Sequence, residues 1–293
     1  MTRSNYVCIN MGTRAQFRSD CSSVASTVQV MGDLVNKIIE QHNYVFYDLA
    51  DPRSSKWFLM GSPWPIVFLA AFYVYFVTRL GPRLMKNREP FNIDGIIKIY
   101  DLFQIAANFY IITEVYKGKS GQLLITFFCE PIDYTEKGIK EASMVWFYFM
   151  LKVVDLLDTV FFVLRKKNSQ ITFLHVYHHW IMVVVIWMTA KYYPGGHGSF
   201  LGYINCYVHM IMYLYYFITN TWPHYKKNLW WKKYVTIIQM VQFSLILLQQ
   251  VPLLFISCPY PMGLIYLSIT QNVFMLKMFY DFYVKTYVKN KVK

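Results

Sequence analysis

Seven apolar runs of about 20 residues constrain this chain more than any other feature, because that length of helix crosses roughly 30 Å of hydrocarbon. They lie at residues 62–80, opened by Pro63 and Pro65 and closed by Gly81-Pro82, then at 97–116, 144–164, 171–190, 200–220, 234–258 and 262–283. Composition agrees: 56% of the 293 residues are hydrophobic and 15% charged, against about 25% charged in soluble domains. The formal charge of +13 does not indicate nucleic acid, because the basic residues fall in short clusters between apolar runs and do not line one polar face. The expected fold is an all-α polytopic membrane protein with seven transmembrane helices.

Short cytoplasmic loops are enriched in Lys and Arg. Alternate connections hold Arg79, Arg83, Lys86 and Arg88; Arg165, Lys166 and Lys167; Lys226, Lys227, Lys232 and Lys233; and Lys285, Lys289, Lys291 and Lys293. The intervening loops hold only Lys117, Lys119, Lys137 and Lys140, then Lys191, then none. This bias puts the C-terminus in the cytosol and the N-terminus on the other side. Three segments follow: a lumenal segment 1–55 without a recognised motif, a seven-helix domain 56–284, and a basic cytosolic tail 285–293. The tail Lys289-Asn-Lys291-Val-Lys293 fits a dilysine retrieval signal for the endoplasmic reticulum, or else is a plain basic flank. The first fifty residues include Arg3, Arg14, Arg18, Asp20, Asp33 and Glu40, so no cleavable signal is expected. No N-x-S/T acceptor occurs.

The five cysteines form no CxxC pair and no zinc spacing. In the topology above Cys129 and Cys258 share the non-cytoplasmic side, where oxidation is permitted. They form either a disulfide or two free buried thiols. Cys8, Cys21 and Cys206 have no such pairing logic.

Ionisable residues inside membrane spans are costly and suggest function by default. The fourth span carries His175, His178 and His179 at offsets of three and four, hence on one helical face. His178 lies about two turns, or roughly 10 Å, past the expected helix start. The third span carries Lys152, Asp155, Asp158 and Thr159 on one face. Those carboxylates either orient imidazoles or form a salt-bridge cluster between helices, and one group can do both. Asn205, His209, Tyr213 and Tyr216 follow along the fifth span, with Met212 and Tyr215 beside them. Thr236, Gln239 and Gln242 follow along the sixth; glutamines there also serve as plain interhelical hydrogen bonds.

The runs Lys152-Val-Val-Asp155-Leu-Leu-Asp158-Thr159 and His175-Val-Tyr-His178-His179 resemble the signature of the very-long-chain fatty acid elongase (ELO) family. So do Asn205-Cys-Tyr-Val-His209-Met-Ile-Met212-Tyr213-Leu-Tyr215-Tyr216, Thr236-Ile-Ile-Gln239-Met-Val-Gln242-Phe243 and the loop Gly81-Pro-Arg-Leu-Met-Lys-Asn-Arg-Glu-Pro90. The resemblance spans roughly residues 50–290. One departure is Asp155, where the family usually has Glu; the charge is kept on an arm one methylene shorter. The resemblance implies six of the seven helices around a tunnel open to the cytosol, in the endoplasmic reticulum membrane. It also implies the activity of a 3-oxoacyl-CoA synthase: long-chain acyl-CoA and malonyl-CoA give a 3-oxoacyl-CoA two carbons longer, with release of CO2 and CoA. No tightly bound cofactor and no metal are expected. The expected partners are the ketoreductase, dehydratase and enoyl reductase of the same cycle; a homo-oligomer is compatible. The histidine and glutamine motifs look more like the branches handling long and very long chains than the branch extending palmitate.

Imidazole is partly neutral at cytosolic pH and serves as nucleophile or base. His178 is the candidate nucleophile, through an acyl-imidazole, or else a histidine acts only as base. His209 and Asn205 are candidates for stabilising an enolate or polarising a carbonyl, with His175, His179, Asp155 and Asp158 orienting the nucleophile. Lys152, Tyr213, Tyr216, Gln239 and Gln242 are candidate substrate contacts, and Lys166, Lys167, Lys232 and Lys233 candidate cations for CoA phosphates. HxxHH also occurs in di-iron desaturases and hydroxylases, but those need about eight histidines in several boxes. This chain has seven, with His42, His197 and His224 outside the spans. A seven-helix receptor or lipid carrier would need neither the histidine face nor the carboxylates.

Overall fold

A computed structural model of the chain describes residues 14–118, 129–227 and 231–289. Lys119, Lys291, Lys293 and Cys8 lie outside the described residues, as do the side chains of Cys21, Lys226 and Lys227. The chain divides into two compact units, residues 1–50 and 51–293. The first contains helix α1, Arg14–Asn43, which runs on through a wide turn at Tyr44–Asp48. Its Met31, Leu34, Val35 and Ile38 are exposed.

Among the described residues the second unit has seven long helices: α2 (Trp64–Met85), α3 (Asp94–Gly118), α4 (Glu136–Leu164), α5 (Phe173–Tyr192), α6 (Ser199–Thr221), α7 (Lys232–Gln250) and α8 (Met262–Tyr283). Five of them, α2, α3, α5, α7 and α8, are long and apolar enough to cross a membrane by length and composition. The chain is therefore a polytopic membrane protein. The other two, α4 and α6, have 29 and 23 residues and are dilute in apolar character for one reason. They carry Lys152, Asp155 and Asp158, and Asn205, His209 and Tyr213, respectively. Helix α3 packs on α6, α4 on α5, and α7 on α8, with α2 against α5 and α4.

Three helix ends differ from the sequence expectation. Gly81-Pro82 does not close α2, which continues to Met85 through a wide turn at Phe76–Leu80. Pro82 has no N–H to contribute, and the widened turn relieves the clash its ring would otherwise cause. Helix α4 starts at Glu136, well before residue 144, because its first turns are polar and hydropathy registers lipid, not helix. Helix α7 stops at Gln250, ahead of Pro252 in the 3-10 turn Val251–Leu254, so Cys258 lies outside it.

Each end of the bundle is stitched by polar contacts. At one, Asp94 Oδ1 is 2.9 Å from Arg165 Nη2 and the Asp94 carbonyl accepts from Asn220 Nδ2 at 3.2 Å, joining α3, α4 and α6. At the other, Cys129 and Cys258 form a disulfide with Cα atoms 5.7 Å apart. There Arg53 grips Asp51 at 2.7 Å and donates to the carbonyls of Asp133, Gly138 and Pro194 at 2.6, 3.2 and 3.0 Å. The Asp51 amide donates to the Lys191 carbonyl at 2.8 Å. Gly196, at φ +62, turns the chain where a Cβ would stand 2.9 Å from the Glu130 carbonyl oxygen. Asp133 accepts from the Thr135 amide and hydroxyl, and these two bonds hold its carboxyl below the usual carboxylate range.

Candidate active site

Helix α5 begins where Thr172, in extended conformation, accepts a hydrogen bond from the His175 amide at 3.3 Å. This cap places all three histidines in the first two turns. His175 Nε2 is 2.9 Å from Thr159 Oγ1 on α4, which also meets the Tyr73 hydroxyl of α2 at 2.8 Å. The His175 and His179 rings lie 4.3 Å apart and those of His178 and His179 5.7 Å. Phe279 of α8 stands edge-on to His178 at 6.4 Å. His178 Nδ1 is buried and has no hydrogen-bond partner among the described residues.

On α4, Lys152 and Asp155 are 2% and 3% exposed and paired at 2.9 Å. Two charges removed from lipid and water alike persist only when paired and fully hydrogen-bonded. Asp155 meets that condition: its Oδ1 accepts from Gln104 Nε2 of α3 at 2.8 Å and from the Tyr213 hydroxyl of α6 at 3.2 Å. The Lys152 ammonium donates to His209 Nδ1 at 3.3 Å, so a neutral His209 ring carries its hydrogen on Nε2 and presents a donor there. Lys152 also sits over the Tyr148 ring, 4.7 Å from its centroid. Tyr213 contacts Asp158 Oδ2 at 2.8 Å. The Tyr148 hydroxyl donates to Asn205 Oδ1 at 2.7 Å, and Asn205 Nδ2 donates to Gln242 Oε1 of α7 at 3.4 Å.

The histidine face of α5, the charged face of α4, and Asn205, His209 and Tyr213 of α6 thus lie in one polar interior, with Gln242 at its margin. The other candidates lie at its margin or beyond. Gln239 contacts the Met212 sulfur at 3.7 Å, and Tyr216, 38% exposed, packs edge-on against Tyr213 with ring centroids 6.0 Å apart. Lys166, at φ +54, donates to the Lys86 carbonyl at 3.2 Å, and Lys167 donates through its amide to the Phe162 carbonyl. Lys232 is exposed and Lys233 lies over the Tyr234 ring. Among the described residues no group of three His, Cys, Asp or Glu side chains is arranged to hold a metal ion.

Four further residues belong to this interior: Tyr73, Tyr100, Gln104 and Tyr148. Tyr100, Gln104 and the buried Asn108 recur every four residues on α3. That polar stripe in an apolar helix was the available signal. Next to Tyr148 lies a cavity of about 70 Å³ walled by residues from α3, α4, α5, α6, α7 and α8. It runs from Tyr148 to Gly198, Ser199 and Tyr260, and is apolar along its length through Ile111, Val145 and Ile186. At its far end the Ser199 hydroxyl donates to Glu141 at 2.6 Å.

These features define a class: polytopic helical membrane proteins in which a buried Lys-Asp-His cluster and a histidine face share a polar interior, with a small apolar cavity reached at Tyr148. The model of the ELO family, GNS1/SUR4, matches residues 58–293, and the chain belongs to that family. It is 40% identical over 262 residues to a very long chain fatty acid elongase of Aedes aegypti, covering 88% of this chain and 73% of the relative. It is 36% identical over 272 residues to very long chain fatty acid elongase 4 of Homo sapiens, covering 92% and 86%. It is 40% identical over 248 residues to the human elongase 1, covering 83% and 88%.

Proposed function

We propose that the chain is the condensing enzyme of very-long-chain fatty acid elongation, a 3-oxoacyl-CoA synthase that joins acyl-CoA to malonyl-CoA. The observation that carries this reading is His178 Nδ1, a buried ring nitrogen without a partner among the described residues, in a polar interior whose Tyr148 lines an apolar cavity. A buried polar atom without a partner is open to a ligand or a reaction, and at His178 that atom is a ring nitrogen able to act as a nucleophile.

In the proposed mechanism the acyl chain runs between the helices toward the cavity at Tyr148 and a ring nitrogen of His178 attacks the thioester carbonyl. The C–N bond forms, the C–S bond breaks, and the CoA thiolate leaves with the imidazole proton. Malonyl-CoA then loses CO2 and its enolate carbon attacks the acyl-imidazole, breaking the C–N bond. The His209 Nε2–H and the Asn205 amide stabilise the oxyanion and enolate, while Lys152, Asp155 and Gln104 fix His209 in the donating tautomer. Thr159 orients His175, which packs against His179 behind the nucleophile. Lys166, Lys167, Lys232 and Lys233 bind CoA phosphates at the cytosolic mouth. All seven helices α2–α8 span the endoplasmic reticulum membrane, the Asp94 end facing the cytosol and the disulfide end the lumen, with residues 1–55 lumenal.

Mass spectrometry after incubation with acyl-CoA alone tests the central step. The expected result is a mass increase of one acyl group, absent from His178→Ala. A wild type that forms product from malonyl-CoA yet never carries the adduct removes the covalent role. One that releases no CO2 from malonyl-CoA removes the function.

A further inference from the structure

Condensation consumes a proton. Acyl-CoA, malonyl-CoA with its carboxylate ionised, and one proton become 3-oxoacyl-CoA, CO2 and CoA thiol. In the proposed mechanism the charge appears when the C–N bond breaks and His178 takes the electron pair as an imidazolate. The interior is closed by tyrosines and apolar side chains, so the proton needs a route.

A continuous file of polar atoms runs from Asp158 to His209. Asp158 Oδ2 lies 2.8 Å from the Tyr213 hydroxyl, and that hydroxyl lies 3.2 Å from Asp155 Oδ1. Asp155 Oδ2 lies 2.9 Å from Lys152 Nζ, and Lys152 Nζ 3.3 Å from His209 Nδ1. Counting hydrogens assigns one of these groups. Tyr213 has a single hydroxyl hydrogen, yet contacts a carboxyl oxygen on each side, and two ionised carboxylates cannot both be served by it. Tyr100, 3.3 Å from the Tyr213 hydroxyl, receives a hydrogen from Gln104 at 3.1 Å and turns its own single hydroxyl hydrogen to Asp158, so it brings Tyr213 no second hydrogen. The second contact therefore needs a hydrogen on a carboxyl group. Asp155 faces the Lys152 ammonium and the Gln104 amide, whereas Asp158 is in no ion pair among the described residues. The hydrogen sits on Asp158.

We infer that Asp158 and Tyr213 are proton-relay residues, passing a solvent proton through Asp155 and Lys152 to His209 and so to the histidine site. The transfer balances. Asp158 gives its proton to Tyr213 as Tyr213 gives one to Asp155, Asp155 to Lys152, and Lys152 to His209, and Asp158 is recharged from water. Asp158 is the half-buried member of the file, and the fully buried Asp155 and Lys152 lie inward of it. The inference rests on the proposed condensing activity.

Three variants of the full-length enzyme test it. Asp158→Asn keeps the shape and still bonds Tyr213 but cannot pass a proton; Asp158→Glu keeps the carboxyl; Tyr213→Phe removes the middle hydroxyl. Positioned proton transfer contributes at least about a hundredfold to rate. Asp158→Asn and Tyr213→Phe are therefore expected to lower kcat about 100-fold with little change in KM for acyl-CoA, and Asp158→Glu to stay within about tenfold of wild type. Thermal unfolding of each variant separates this from misfolding, and Tyr213→Phe carries the test if Asp158→Asn does not fold. Asp158→Asn or Tyr213→Phe turning over within about threefold of wild type overturns the relay, as does Asp158→Glu falling as far as Asp158→Asn. A wild type without 3-oxoacyl-CoA product overturns the function and the relay together.

Discussion

Lys152 faces a carboxylate, an imidazole and an aromatic ring at 2% exposure, so its removal has a calculable sign. Lys152→Met leaves Asp155 ionised in an apolar interior, a loss of about 3–5 kcal/mol for breaking a buried pair. The double variant Lys152→Met/Asp155→Asn leaves no charge behind and is expected to recover most of it. A double-mutant cycle by thermal unfolding in detergent checks this; additive losses would mean that the pair is not coupled. At this scale the sequence was legible where residues fell into periodic sets. The histidines of α5 and the Lys-Asp face of α4 stood out because charge in an apolar helix is expensive. Tyr73 and Tyr148 stayed hidden because a single tyrosine in an aromatic-rich helix is the expected composition, and only its partner, Thr159 or Asn205, distinguishes it. The four rim lysines were placed by charge alone, which finds a side of the membrane but no ligand geometry.

Helix identity followed from apolar length, and helix ends did not, because an end is decided by local chemistry. The Gly81-Pro82 pair reads as a terminator, yet Gly81 lies inside α2 for a packing reason. A Cβ there would stand 2.6 Å from Val163 Cγ1 of α4 and 3.0 Å from the Phe76 carbonyl oxygen. The glycine lets α2 approach α4 closely at the turn where the wide segment Phe76–Leu80 ends. Gly81→Ala is expected to destabilise the protein by roughly 1–3 kcal/mol, the range for forced overpacking. Adding Val163→Ala removes the nearest clash and is expected to restore part of the loss, the carbonyl contact accounting for the rest. Thermal unfolding of the single and double variants decides it. No restoration would show that backbone geometry, not helix contact, requires the glycine.

Across the whole molecule, the proposed sidedness rests on two arguments, charge bias and cysteine chemistry. Arg165, Lys166 and Lys167 follow α4 at the Asp94 end, and short basic loops face the cytosol. Cys129 and Cys258 are bonded at the opposite end, and such bonds persist in oxidising compartments. The chain lacks an N-x-S/T acceptor, so an engineered one reports sidedness against no background. Two single substitutions create one on each side. Asp133→Asn converts Asp133-Tyr134-Thr135 at the disulfide end, and Gln170→Thr converts Asn168-Ser169-Gln170 in the exposed α4–α5 connection. The amide that Asp133→Asn introduces keeps an oxygen to accept from the Thr135 backbone N–H, so the turn ahead of α4 should survive. In cells that glycosylate secretory cargo, the Asp133→Asn protein is expected to gain a glycosidase-sensitive mass and the Gln170→Thr protein none. The reverse pattern would invert the bundle and place the basic rim in the lumen, away from cytosolic CoA esters. Glycans on both would mean that α4, the one helix between the two sites and the carrier of Lys152, Asp155 and Asp158, does not span the membrane.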